Sequence, residues 1–311
     1  MKPYIIAEIG SNWTNLSDCL NSVRLAKACG ADAVKFQAFT YKDLYGFESE
    51  TKLPSLPLGW LPSLKEESDR VGIEFMCTAF SVETLCAVDR FVNRHKLASS
   101  DLLHIRMLEK LNRIGKPVYM STGGEKSGTD ISAALSKLPN CDKTLMYCVA
   151  NYPARLVDLR KISQMREAFK VDVGYSDHTV DVTCIPVMAQ LQGATAIEKH
   201  VNFAEVESVD SPHSLTTKEF KIMCGILTDP NYKFGVSESS FPLRHNRRIV
   251  ATKNLNRDTV LEEGINFAIA RSLSDDREGA HPFLADEMQG KRTLCAIAKG
   301  SGISLRDVAL N

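Results

Sequence analysis

The sequence predicts an α/β protein: a (β/α)8 TIM barrel followed by a small, mostly β domain. Three observations predict it. Short apolar, β-branched runs alternate with amphipathic stretches over roughly the first 230 residues. There are eight such runs, each followed by a helix-like stretch, which is the signature of the barrel. The final 65 or so residues change character, with short strand-like runs separated by turns. An open doubly wound sheet would also alternate, but eight repeats in this length fit the barrel better.

The strands are expected at residues 5–9, 33–37, 74–79, 95–98, 118–121, 144–149, 172–175 and 196–200. Helical spacing is clearest at 17–29 and 158–169. Ser17 is expected to cap the first helix, and Gly30 to close it; Gly72 closes another. Gly115-Lys116-Pro117 punctuates the entry to the fifth strand. Pro230 to about Arg247 has Pro, Gly and Ser and little periodicity, so it reads as a linker. The domains are therefore 1–235, a linker at 236–247, and 248–311. In the last, residues 248–251, 294–297 and 302–305 read as strands. A domain of that size is marginal alone and gains by docking on something larger.

Composition narrows the function classes. Of 311 residues, 44% are hydrophobic and 24% charged, which is ample for a core. Lys+Arg and Asp+Glu both number 38, so no overall basic field points to nucleic acid or an anionic membrane. No apolar run approaches a membrane span. The start, Met1-Lys2-Pro3-Tyr4-Ile5-Ile6-Ala7-Glu8, does not resemble a signal peptide, and nine cysteines without CxxC pairs read as reduced, cytoplasmic thiols. Cys77, Cys148 and Cys184 lie in apolar runs and are expected to be packing residues.

A barrel draws its chemistry from the C-terminal ends of its strands. Here those ends carry Glu8, Lys35, Thr78, Lys96 with Ser99, Ser121, Asn151 with Tyr152, Ser176 with His178, and His200. His178 and His200 stand 22 positions apart, each at the end of a strand-like run. A βαβ unit would place both imidazoles at one sheet edge, a start on a divalent metal site; two unrelated strand-end histidines are the plainer reading. Glu8 is placed to hold or flank the metal. Lys35 and Lys96 beside the hydroxyls of Thr78, Ser99, Ser121 and Ser176 suit a phosphate and a carboxylate. Lys35 also suits an ion pair with Glu8, and both roles can hold. Gly123-Gly124 offers backbone N–H groups to an anion, a weaker signal. Neither GxxxxGK[ST] nor GxGxxG occurs, which disfavours a nucleotide.

Taken in order, these motifs resemble the sialic acid synthase family, N-acetylneuraminate synthase-like enzymes that condense phosphoenolpyruvate with an N-acylated mannose-type sugar. The resemblance rests on Ala7-Glu8-Ile9-Gly10-Ser11-Asn12, Val34-Lys35-Phe36-Gln37, Ser121-Thr122-Gly123, Asn151-Tyr152-Pro153, Gly174-Tyr175-Ser176-Asp177-His178-Thr179 and Ile197-Glu198-Lys199-His200. It continues into the small domain, which resembles the antifreeze-like (SAF) domain through Gln289-Gly290-Lys291-Arg292 and Ile297-Ala298-Lys299-Gly300. The resemblance implies that His178 and His200 hold a divalent metal, Mn2+ or Mg2+, and that Glu8 lies beside it as a candidate to activate water. It implies that Lys35, Thr78, Lys96, Ser99, Ser121, Tyr152 and Ser176 line the phosphoenolpyruvate site. Gln37 and Asp210 would face the sugar. Arg271 would enter the active site of a partner subunit in a domain-swapped homodimer.

The chain departs from the family pattern in places. Ser11-Asn12-Trp13 lacks a usual histidine, and Cys77-Thr78-Ala79-Phe80, Lys96-Leu97-Ala98-Ser99-Ser100-Asp101 and Met146-Tyr147-Cys148 are altered. The sugar-side Asp-His-x-x-Ser pattern reads Asp210-Ser211-Pro212-His213-Ser214, and Arg-Pro-Gly reads Arg271-Ser272-Leu273. The sugar-facing parts vary most. The same chemistry on a simpler aldose, and a barrel that binds a sugar without turnover, are the competing readings.

Overall fold

The structure is a computed structural model. It describes residues 2–51, 53–124, 126–229, 247–273 and 277–309. The chain divides into two compact units, Met1–Tyr232 and Lys233–Asn311. Most of the expected linker lies outside the described residues.

The first unit holds eight parallel strands: β1 (Tyr4–Glu8), β2 (Ala33–Ala38), β3 (Glu74–Ala79), β4 (His95–Leu97), β5 (Val118–Ser121), β6 (Lys143–Cys148), β7 (Asp172–Asp177) and β8 (Ala196–His200). They pair in the order β3-β2-β1-β8-β7-β6-β5-β4, and β3 lies beside β4, so the sheet curls into a nearly closed barrel. The helices are α1 (Leu16–Cys29), α2 (Tyr41–Tyr45), α3 (Leu61–Val71), α4 (Val82–Asp89), α5 (Ile105–Ile114), α6 (Gly128–Ser136), α7 (Arg160–Phe169), α8 (Cys184–Leu191) and α9 (Thr217–Thr228). At least one helix follows every strand, as the alternation of the sequence requires.

The strands alternate with period two. Ile5, Ala7 and Ile9, Val34 and Phe36, and Tyr175 and Ile197 pack in the large core shared with the helices. Ile6, Ala33, Met76, Tyr119, Met146 and Ala196 point the other way and fill the barrel interior. Gly174 shares that interior layer: a Cβ there would sit 2.5 Å from Met146 Sδ and 2.8 Å from the Ala196 carbonyl, so only glycine fits. Two positions on from this layer stand Glu8, Lys35, Thr78, Ser121, Ser176 and Glu198. The pleat thus delivers these six polar side chains to one mouth, with the apolar layer as its floor.

Helix ends follow local chemistry. Asn15, not Ser17, caps α1, because its extended backbone (φ −151°, ψ 172°) lets its side chain accept the Asp18 N–H. Ser17 falls inside the first turn. Gly30 closes α1 at φ +100°, where a side chain would clash with its own backbone. Cys77 and Cys148 are buried, but Cys184 is exposed. The apolar run around Cys184 is the start of α8, whose outer face it occupies, rather than a buried strand.

The second unit pairs β9 (Arg247–Ala251) antiparallel with β10 (Phe267–Arg271). The expected strands at 294–297 and 302–305 do not form. Ile297 and Gly302 make isolated bridges to Leu255 and Val250, because turns interrupt the chain before a ladder can propagate. Residues 267–271, passed over in the sequence, form the second strand instead. Ile249, Leu261, Phe267, Met288, Ile297 and Ile303 form its own apolar core. Arg271 ends β10 and is exposed.

Candidate active site

The barrel mouth holds a cavity of about 270 Å3. Lys35, Gln37, Thr78, Lys96, Ser99, Ser121, Tyr152, Ser176, His178 and His200 line it, together with Glu198. Of the residues singled out from the sequence, Glu8, Asn151, Asp210 and Arg271 are not among its walls. Glu8 is fully buried behind Lys35 and Gln37. Asp210 lies beside His200 on the loop after β8, and Arg271 belongs to the second unit.

The charges interlock. Lys35 Nζ lies 2.5 Å from Glu8 Oε2 and 3.6 Å from Glu198 Oε1, and donates to Thr78 Oγ1 at 3.1 Å. Lys96 Nζ lies 3.6 Å from the same Glu198 oxygen, to which Ser176 Oγ donates at 3.1 Å. Gln37 Nε2 donates to Glu8 Oε1 at 2.6 Å. Burial holds Glu8 above the usual carboxylate range despite the opposing pull of Lys35. Burial also works on Glu198, but Lys35 and Lys96 outweigh it and hold its pKa down to about 2. Burial works against the Lys35 charge, yet Glu198 and Glu8 raise its pKa; Lys96, with weaker support, is lowered. Two lysines, Lys35 and Lys96, thus share the single carboxylate Glu198 that lines the cavity. Ser121 Oγ is buried with no hydrogen-bond partner although its residue lines the cavity, as a donor awaiting an anion would be.

Ser99 Oγ lies 3.1 Å from Cys148 Sγ and accepts the Gly123 N–H at 3.0 Å. The Gly123 amide is therefore spent inside the protein rather than offered to an anion. A Cβ at Gly123 would fall 2.6 Å from Cys148 Sγ, so glycine lets this loop close onto Ser99.

The imidazoles gather at one side of the mouth. The His178 and His200 rings are 5.8 Å apart, and the Tyr152 ring lies 4.2 Å from His178. His178 Nδ1 donates to the Val149 carbonyl at 2.7 Å, which fixes the tautomer and leaves the Nε2 lone pair toward the cavity. His200 Nδ1 is buried without a hydrogen-bond partner. Burial pushes His178 down to about 4 and His200 down to about 3, so both are neutral at neutral pH. His178 Nε2 lies 3.4 Å from Ser176 Oγ. Neutral imidazoles, each with an unprotonated nitrogen, fit a divalent ion. One strand position away, Asp177 and Lys199 face out of the barrel and pair at 2.7 Å, both fully buried.

The sequence reading assigned no role to Glu198 or His213, although both lie inside quoted motifs. Period two from His200 would have placed Glu198 in the same mouth. Nothing local signals His213, which reaches His200 (rings 4.7 Å apart) only because the loop after β8 folds back.

Fold and site together define a (β/α)8 barrel with a polar site at the C-terminal ends of its strands. The chain belongs to the NeuB family, whose model matches residues 22–237. An uncharacterized protein of Methanocaldococcus jannaschii is 34% identical, over 85% of this chain and 84% of its own. The pseudaminic acid synthase of Campylobacter jejuni is 28% identical, over 98% of this chain and 96% of its own. A solved N-acetylneuraminic acid synthetase from Leptospira borgpetersenii, in complex with citrate, superimposes with a TM-score of 0.68 at 28% identity, covering 76% of this chain and 89% of that one. No helix among the described residues is long and apolar enough to cross a membrane.

Proposed function

We propose that the chain condenses phosphoenolpyruvate with an N-acylated mannose-type sugar to give a nonulosonic acid and phosphate, and that it requires a divalent metal. The observation that carries this is one cavity in which Lys35, Lys96 and the unpartnered Ser121 hydroxyl lie beside the His178–His200 pair. The synthase names of its relatives agree with it.

In this reading Lys35, Lys96, Ser99 and Ser121 bind the phosphate and carboxylate. Glu198 holds both lysines between the strands, and Glu8 orients Lys35 and Gln37 from below. Tyr152 stacks over His178 and walls the cavity. His178 and His200 would hold the divalent ion, which when bound supplies Lewis-acid polarisation of the sugar aldehyde. Carbon 3 of phosphoenolpyruvate forms the new C–C bond to the aldehyde carbon, whose oxygen gains a proton. Water adds at carbon 2, and phosphate departs by C–O cleavage. One phosphoenolpyruvate, one sugar and one water thus give one acid and one phosphate. By the resemblance, Arg271 comes from a partner copy in a homodimer.

The test is phosphate release from phosphoenolpyruvate and Mn2+ with a panel comprising N-acetylmannosamine, a diacetamido-trideoxy hexose and simple aldoses, with product mass read in parallel. Release with an N-acylated sugar and a product heavier by the pyruvate unit is expected. Release only with a simple aldose, or none with any sugar, overturns the proposal.

A further inference from the structure

The loop after β8 brings two more metal-ligating groups to His200. Asp210 precedes a single 3-10 turn, Ser211–His213, with Pro212 inside it. Residues three apart eclipse in a 3-10 turn, so Asp210 and His213 stand side by side. His213 Nε2 lies 3.5 Å from Asp210 Oδ1, too long for a good hydrogen bond. His213 is 3% exposed, and its Nε2, like His200 Nδ1, is a buried nitrogen with no hydrogen-bond partner. One ligand atom from each of His200, Asp210 and His213 lies within 4.8 Å of the others. Ligands about 2.1 Å from a first-row ion stand roughly 3–4.3 Å apart, so only a small adjustment is needed.

The scaffold is built for this approach. Asp210 Oδ2 accepts the Ser11 backbone N–H at 2.7 Å and the Ser11 hydroxyl at 2.8 Å, which fixes the carboxylate while leaving Oδ1 toward the imidazoles. Asn12 Nδ2 donates to Ser214 Oγ at 2.8 Å, and Ser214 Oγ donates to the Asp210 carbonyl at 2.7 Å, so the turn is tied to the loop after β1. Gly10, at φ +54°, makes room: a Cβ there would lie 2.2 Å from Asp210 Oδ2 and 3.4 Å from His200 Cε1.

We propose that His213 and Asp210 are additional protein ligands of the divalent ion at His200, making a two-histidine, one-carboxylate set beside His178. This rests on the metal-dependent reading above and adds ligands that the strand ends alone do not supply. Two imidazoles beside one carboxylate would favour Mn2+ or another first-row ion over Mg2+, which prefers oxygen ligands.

The test titrates the chelator-stripped full chain with Mn2+ alone, following binding by calorimetry and the Mn2+ resonance spectrum. His213→Ala is expected to raise Kd for Mn2+ at least tenfold, with His213→Asp recovering part of the loss. Asp210→Asn, which is isosteric and keeps an acceptor for Ser11, is expected to weaken binding as well and serves if His213→Ala fails to fold. A tenfold excess of Mg2+ should leave the Mn2+ occupancy of the unsubstituted chain largely intact. His213→Ala and Asp210→Asn both binding Mn2+ within twofold of the unsubstituted chain would overturn the assignment. That result leaves the condensation reading standing, whereas tight Mn2+ binding without phosphate release supports the ligands and sinks the condensation.

Discussion

The Asp177–Lys199 pair makes a sharp prediction, because both side chains are fully buried and neither enters the cavity. Their Cα atoms are register partners across β7 and β8. Lys199 Nζ lies 2.7 Å from Asp177 Oδ2 and also donates to the Thr179 carbonyl at 2.6 Å and hydroxyl at 3.2 Å. Asp177 Oδ1 accepts the Thr179 N–H at 2.8 Å and the Tyr175 hydroxyl at 3.2 Å. Lys199→Met removes the cation and three bonds, leaving a buried carboxylate with two neutral donors. Removing one partner of such a pair costs about 3–5 kcal/mol, a large share of a stability of about 5–15 kcal/mol. For a unit of this size the melting temperature should fall by about 6–20 °C. Asp177→Asn should cost less. Burial lowers the Lys199 pKa against the pull of Asp177, and Lys199 would keep its bonds to the Thr179 carbonyl and hydroxyl. The double variant Asp177→Asn/Lys199→Met should be more stable than Lys199→Met alone, with a coupling of about 2 kcal/mol or more. Thermal and guanidinium unfolding of the four proteins measures this. Because Thr179 flanks His178, Lys199→Met should also weaken Mn2+ binding. If Lys199→Met melts within about 2 °C of the unsubstituted chain, the pair is not what holds this corner.

Two further outcomes follow from the site and its frame. Lys96→Met, under the proposed function, should lower kcat/KM for phosphoenolpyruvate by about 10^2-fold or more; an unchanged kcat/KM removes Lys96 from the anion site. Glu67 of α3 reaches Arg24 of α1 at 2.5 Å and pairs with Arg70 of its own helix at 2.6 Å, and the Arg70 hydrogen bond, then Arg24, hold its carboxyl down to about 2. A depressed folded pKa stabilises above the unfolded value near 4.5 and is lost as pH falls through about 2. Both arginines are half exposed, so Glu67→Gln should cost only about 1 kcal/mol at pH 7. The difference should close between pH 4.5 and pH 2 in acid-unfolding curves; a constant gap across that window refutes the linkage.

Much of the barrel was legible along the chain. Strand positions are stated by local pattern: apolar β-branched runs of buried-strand length, helix stops at Gly30 and Gly72, and a turn at Gly115. The errors were local competitions. Asn15 and Ser17 are both good caps, and only the backbone conformation chooses between them. In the small unit, apolar runs of strand length were broken by turns before a second hydrogen-bonded pair formed.

What the sequence by itself determined was the architecture of alternating strands and helices, and which polar side chains stand at the strand ends. Both depend on periods of two and 3.6 that a few neighbouring residues express. What only the tertiary structure decided was which charges meet. Glu198 bridges Lys35 and Lys96 because β2, β8 and β4 converge on one mouth when the sheet curls. Asp177 finds Lys199 through the register of β7 on β8. His213 reaches His200 through a returning loop whose path is set by Ser11, Asn12 and Ser214, about 200 positions away for the first two. Contacts across that separation are selected by closure of the whole barrel, and no short stretch of sequence encodes them.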